Sequence, residues 1–176
     1  RAAGARILTR SDGDYPVPLL DLPVPPPVLY CRGELPSGPA VAIVGSRQAD
    51  AYGLETAESF ARHLAAAGLT IVSGLARGID SAAHRGALAA EGGHTVAVLG
   101  CGIDVTYPRG SARLADRIAR AGAVVSEFPI GAAPFKQNFP MRNRIIAALG
   151  LGTFVVRGTV RSGSLITARL ALELGG

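Results

Sequence analysis

A chain of 176 residues with 48% hydrophobic and 18% charged residues suits one globular domain with a full core and excludes a disordered chain. No apolar run approaches the roughly 20 residues of a membrane helix, and no charged leader precedes an apolar segment as in a signal peptide. The net charge of +5 and pI near 9.9 favour an anionic partner such as nucleic acid or a nucleotide, although a genome that prefers Arg and Ala explains the composition equally well. Lys136 is the only lysine, so nearly all the positive charge sits on guanidinium groups, which bind phosphate in a planar, bidentate way.

Arg1–Arg10 is featureless. Ser11–Pro27 holds six prolines and is expected to run extended over the surface, because proline supports neither an interior strand nor a helix. Val28–Gly33 is a short strand candidate at a sheet edge, and Glu34–Pro39 is a turn. A regular alternation then begins. Strands are expected at Val41–Val44, Leu69–Val72, Thr95–Leu99, Ala123–Ser126 and Thr153–Val156. Helices are expected at Leu54–Ala67, Asp80–Glu91, Ser111–Arg120, Asn143–Leu149 and Ser164–Leu174, with Ser111 as an N-cap. A long loop from Glu127 to Pro140 interrupts the series.

Short apolar strands alternating with helices mean a parallel sheet buried on both faces. The expected fold is α/β: a doubly wound, mostly parallel sheet flanked by helices, an extended Rossmann-like domain over 40–176. Residues 1–39 form a proline-rich N-terminal extension with an edge strand. The chain begins without Met and stops directly after a helix, so it is expected to belong to a longer protein with further sheet. Cys31 and Cys101 are too few for a disulfide framework and suit a reducing cytoplasm. His63, His84 and His94 lack metal-ligand spacing.

In such a sheet the strand-to-helix loops share the carboxyl rim, where ligands bind. Here they carry Gly45-Ser46-Arg47, then Ser73-Gly74 with Arg77-Gly78, then Gly100 and Gly102. The later ones carry Phe128–Arg144 and Arg157–Ser164. Backbone N–H, hydroxyl and guanidinium groups of this kind suit phosphates. The stretch Gly100-Cys101-Gly102 followed by Val105 and Pro108 does not complete a dinucleotide fingerprint, even with Glu127 ending the next strand. No P-loop and no G-x-S-x-G elbow is present. His84, four residues after Asp80, suits packing or capping better than acid–base work. The segment Phe135-Lys136-Gln137-Asn138-Phe139-Pro140-Met141-Arg142-Asn143-Arg144 sets cations beside aromatic rings, as single-stranded nucleic acid requires, although both rings also suit loop anchors. Contacts to the DNA backbone should then dominate, with little sequence preference.

Four motifs in order, Val41–Arg47 with Tyr52-Gly53, Ser73–Asp80 with Ala83-His84, Phe139–Ala147 and Ser162–Ala168, are similar to those of the DprA/Smf family, the DNA-processing proteins of natural transformation. The resemblance covers about residues 15–174. It implies a protein without catalytic residues or cofactor that binds single-stranded DNA, forms homodimers and loads the RecA recombinase. By that resemblance the DNA pocket would fall on Ser46, Arg47, Gly74, Arg77, Gly78, Lys136, Asn138, Phe139, Arg142, Asn143 and Arg144. Gly74 and Gly78 would allow close approach of the DNA. Arg157-Gly158 departs from the family's Glu-Ala and places a cation at the rim. An alternative is a nucleotide phosphoribohydrolase of the lysine-decarboxylase-like kind, faintly suggested by Gly150-Leu151-Gly152-Thr153. A scaffold with an incidental basic rim is a third.

Overall fold

The computed structural model describes residues 4–158 and 163–173. Seven strands form one sheet: β1 (Arg6–Thr9), β2 (Val28–Gly33), β3 (Ala40–Gly45), β4 (Thr70–Ser73), β5 (Thr95–Val98), β6 (Ala123–Ser126) and β7 (Thr153–Val156). Their order is β1-β2-β6-β5-β4-β3-β7. The strands from β6 to β7 run parallel; β2 lies antiparallel to β6 and β1 antiparallel to β2. Five helices cover the two faces: α1 (Ala51–Ala66), α2 (Ile79–Ala89), α3 (Ala112–Ala121), α4 (Asn138–Leu149) and α5 (Gly163–Glu173). This is the doubly wound α/β fold expected from the alternation.

The pleat decides which residues meet which layer, because successive side chains point to opposite faces. Ala42, Val44, Val72, Val98 and Val125 join Ile145 and Ile146 of α4 on one face. Ile43 and Ile71 meet α1 and α2 on the other, while Ala97 and Val124 meet Ile118 of α3. The inner faces of α1 and α2 are small: Ala57, Ala61, Ala82 and Ala83 are fully buried. At their crossing a Cβ on Gly86 would stand 2.1 Å from the Glu58 carbonyl oxygen. Small residues thus let two backbones touch, which fixes where α2 begins under the rim.

The N-terminal 39 residues differ from expectation. Arg6–Thr9 is not featureless but forms the outermost strand, so β2 lies inside the sheet rather than at its edge. The proline-dense segment turns through a short 3-10 helix at Val17–Leu19 and buries Tyr15, Leu19 and Leu22 in the same core as α4. The Tyr15 hydroxyl donates to the Pro26 carbonyl at 2.7 Å. Prolines ruled out regular ladders there but not burial, and each buried apolar side chain contributes about 1.5–3 kcal/mol.

Two helices start earlier than periodicity suggested. α1 opens at Ala51 because the Asp50 carboxylate accepts the Gly53 N–H at 2.8 Å, an N-cap. α4 opens at Asn138 with Pro140 in its first turn, where a missing N–H costs nothing. The long loop therefore ends at Gln137, and Phe139 rides on a helix. Ser111 does occupy the N-cap position of α3 but makes no capping hydrogen bond through its side chain.

Candidate nucleic-acid interface

The loops after β3, β4 and β5 and the first turn of α4 converge on the carboxyl rim. They enclose two adjoining lobes of about 620 and 630 Å³ that share Arg47, Tyr107, Phe139 and Arg142. Arg77 and Arg109 line the first lobe; Ser46 and Lys136 line the second. The second lobe lies at the end of β3, beside β7, where the strand order reverses.

The centre of the rim is an aromatic pair. Phe139 and Tyr107 hold their ring centroids 5.4 Å apart at 32°. The Arg47 guanidinium carbon lies 5.0 Å from the Phe139 centroid, above the ring. Arg47, Arg77, Tyr107, Arg109 and Lys136 are exposed. An exposed cation over a ring gains about 0.5–1 kcal/mol, enough to bias the Arg47 side chain without engaging its N–H donors. Tyr107 escaped the sequence reading. It stands alone among apolar and turn residues, and only the fold carries it to Phe139.

Beneath the rim the sequence-predicted cations divide. Arg142 is 3% exposed. Its Nη1 donates to the Gly74 carbonyl at 2.8 Å and to the Val98 carbonyl, and its Nε donates to the Asn143 side-chain oxygen at 3.2 Å. Asp80 is buried too, and its carboxylate accepts the Gly74 and Ala76 N–H groups at 3.2 and 3.3 Å. Gly74 is therefore held from both sides. Burial lowers the Arg142 pKa to about 10, and the nearby Asp80 carboxylate opposes that shift. Burial also raises the Asp80 carboxyl above its ordinary range, against the pull of Arg142 and the two N–H donors. At neutral pH Arg142 stays charged, and it places positive potential under Phe139, 5.9 Å from the ring centroid.

Burial divides the residues expected to meet DNA. Arg142, Asn138 and Asn143 are buried and bonded to the protein's own groups. The Asn138 amide nitrogen donates to the Gly100 and Ala133 carbonyls at 3.1 and 3.3 Å, tying α4 to the loop after β5. Gly74 and Gly78 let the protein's own atoms approach closely. A Cβ on Gly74 would meet the Arg142 guanidinium at 2.6 Å, and one on Gly78, at φ 79°, would meet the Ser46 carbonyl oxygen at 2.3 Å. Arg144 lines neither lobe. Two residues beyond Arg142 on a helix it faces away, and it binds both oxygens of Glu127, at 3.1 and 2.6 Å. Arg157 makes exposed contacts at the rim. Its Nη2 reaches Asp50 at 2.8 Å, and its guanidinium lies 5.6 Å from the Tyr52 centroid.

The readings set aside on sequence meet physical obstacles. Glu127, the candidate ribose acid, is engaged by Arg144. A Cβ on Gly102 would meet the Pro129 carbonyl oxygen at 2.7 Å, so that glycine lets the protein's own backbone approach. Ser73 and Ser126 donate at 2.6 Å to the carbonyls of Ile43 and Cys101, and Ser46 accepts the Gln48 N–H at 3.1 Å. Ser162 lies outside the described residues. Gly150–Thr153 sits at the amino end of β7, opposite the rim. His84 is fully buried, with Nδ1 2.7 Å from the Thr95 hydroxyl. That hydroxyl donates to the Ile71 carbonyl, so Nδ1 carries the proton and the ring is neutral; burial holds its pKa near 3. Burial also pushes the Cys101 thiol up to about 11, which makes it a poor nucleophile.

The family described as DNA recombination-mediator protein A has a sequence model that matches residues 6–176. Protein Smf of Escherichia coli (strain K12) is 48% identical over 164 residues, covering 92% of this chain and 44% of its own length. The structure of DNA processing protein A from Streptococcus pneumoniae superposes with a TM-score of 0.91 at 43% identity, over 98% of this chain and 61% of that one. The structure of DNA processing protein A from Helicobacter pylori, solved for its single-stranded DNA binding mode, gives a TM-score of 0.86 at 32% identity, over 97% and 78%. The chain spans about half the length of the curated relatives it matches.

Proposed function

The chain belongs to the DNA recombination-mediator protein A family, and from that premise we propose that its carboxyl rim binds single-stranded DNA through the phosphate backbone. The observation that carries this reading is the pairing of exposed cations with an aromatic surface. Arg47, Arg77, Arg109 and Lys136 line the lobes with Tyr107 and Phe139, and among the described residues the buried Asp80 is the only carboxylate lining them. Phosphates bind the cations, and an unpaired base stacks on a ring. A duplex keeps its bases inside and cannot use the rings. The named single-stranded DNA binding of the Helicobacter pylori relative supports the same assignment.

The rim holds its ligand without transforming it. Asp80 is buried and accepts two backbone N–H groups, and His84 is buried against the Thr95 hydroxyl. The protein is a binding module that hands DNA to the RecA recombinase, acts as a homodimer and works in the cytoplasm. The recombinase and the dimer rest on the family resemblance, and the cytoplasmic setting on two buried free thiols, Cys31 and Cys101.

A fluorescence titration with single- and double-stranded DNA at two salt concentrations tests the assignment. The expected result is tighter binding of the single strand, falling with salt at a slope of about −0.7 per phosphate contact. Equal affinity for both forms, or binding indifferent to salt, overturns it.

A further inference from the structure

Beyond the two lobes, the rim opens sideways into a third depression of about 460 Å³ between α2 and the start of α3. Five arginines line it: Arg77, Arg85, Arg109, Arg113 and Arg117, with no carboxylate among the lining residues. All five are exposed. Of these five, only Arg85 has an ion pair with a described residue, Glu58 at 3.2 Å, and both side chains are nearly half exposed. Such a pair is weak and exchanges readily for another anion.

The placement follows from helix geometry. Arg113 and Arg117 are four residues apart and share one face of α3. Ser81 and Arg85 share one face of α2 in the same way, and Arg77 lies in the loop just before that helix. Like charges at this spacing destabilise an isolated helix, and two facing helices compound the cost. A polyanion relieves that repulsion.

We propose that this α2–α3 groove is a second backbone track for the single strand that occupies the rim, a proposal that rests on the function assigned above. Continuity is the argument. Arg77 and Arg109 line both the rim lobe and the groove, so a strand leaving the rim passes between them onto Arg113 and Arg117. The rim offers rings as well as charge; the groove offers guanidinium groups with apolar contact limited to Leu114 and Pro108. The groove therefore binds phosphates without stacking bases and is indifferent to sequence. A short oligonucleotide fills the rim alone, and a longer one uses both.

The test compares a single strand of about 6 nucleotides with one of about 20, using the unaltered protein, Arg113→Ala/Arg117→Ala, and Arg10→Ala/Arg62→Ala. The last variant removes the same charge from exposed positions elsewhere. The first double variant is expected to weaken binding of the long strand about ten-fold and flatten its salt slope by about 1.4, two phosphate contacts. Its affinity for the short strand is expected to stay within about two-fold, and the control to stay unchanged on both. Unchanged long-strand affinity and slope overturn the groove while leaving the rim. So does equal loss on both lengths, or equal loss in the control. Failure of the unaltered protein to bind either strand overturns both readings.

Discussion

Arg47 and Arg142 approach the same phenyl ring, one 5.0 Å and the other 5.9 Å from the Phe139 centroid, yet they belong to different regions. Arg47 lies on the open rim. Arg142 lies on the floor beneath it, bonded to two carbonyls and an amide and close to a buried carboxylate. The floor is an internal polar network, high-stakes because each member satisfies another. The rim is a set of cations and rings whose donors face outward. The comparison teaches that a basic residue in a nucleic-acid motif can serve the ligand directly or serve the loops that meet it, and burial decides which.

The contrast can be broken most forcefully at Arg142. Arg142→Ala leaves Asp80 buried without its cation and frees the ends of β4 and β5. Three buried acceptors lose their donor at about 1–3 kcal/mol each, so a stability loss of about 3–5 kcal/mol is expected in urea unfolding; a loss near zero would make Arg142 a rim residue after all.

Acid attacks the scaffold next. His84 is neutral in the fold, its pKa held near 3 against an ordinary 6.5. Above 6.5 both folded and unfolded states are neutral at this site. Below it only the unfolded chain takes up the proton, so stability is lost as pH falls from 6.5 toward 3. About 3 kcal/mol should disappear from this residue between pH 7 and 4. His84→Asn should flatten that part of the pH profile, and an unchanged profile in the variant contradicts the buried neutral ring.

The smallest effect on stability, and the sharpest on binding, belongs to the rim. Arg47→Ala and Lys136→Ala should each leave unfolding within about 0.5 kcal/mol of the unaltered protein. Each should weaken single-stranded DNA binding and lower the salt slope by about 0.7. If either variant lost as much stability as Arg142→Ala, the division between rim and floor would collapse.

Much of the architecture was legible because it follows from periodicity. Apolar runs too short for helices, separated by amphipathic segments, leave a parallel sheet as the solution. The first 39 residues resisted, since prolines signal irregular backbone and say nothing of where Tyr15, Leu19 and Leu22 point. Helix starts slipped for a related reason. Asp50 caps α1 through a local hydrogen bond, and Pro140 suits the first turn of α4 because no N–H is needed there; neither signal lies in the hydrophobic pattern.

The chain's own residues determined that glycine, serine and arginine would gather on one sheet edge, because strand-to-helix loops of a parallel sheet share that edge. Only the tertiary structure decided which of them face outward. Arg142 and Arg144 stand two residues apart, and α4 turns one inward to Gly74 and the other toward Glu127. Tyr107, remote in sequence, joins Phe139 only when the loop after β5 closes over the rim. Helix phase and long-range closure set burial, and burial makes one arginine a clamp on the Gly74 carbonyl and leaves another exposed on the rim.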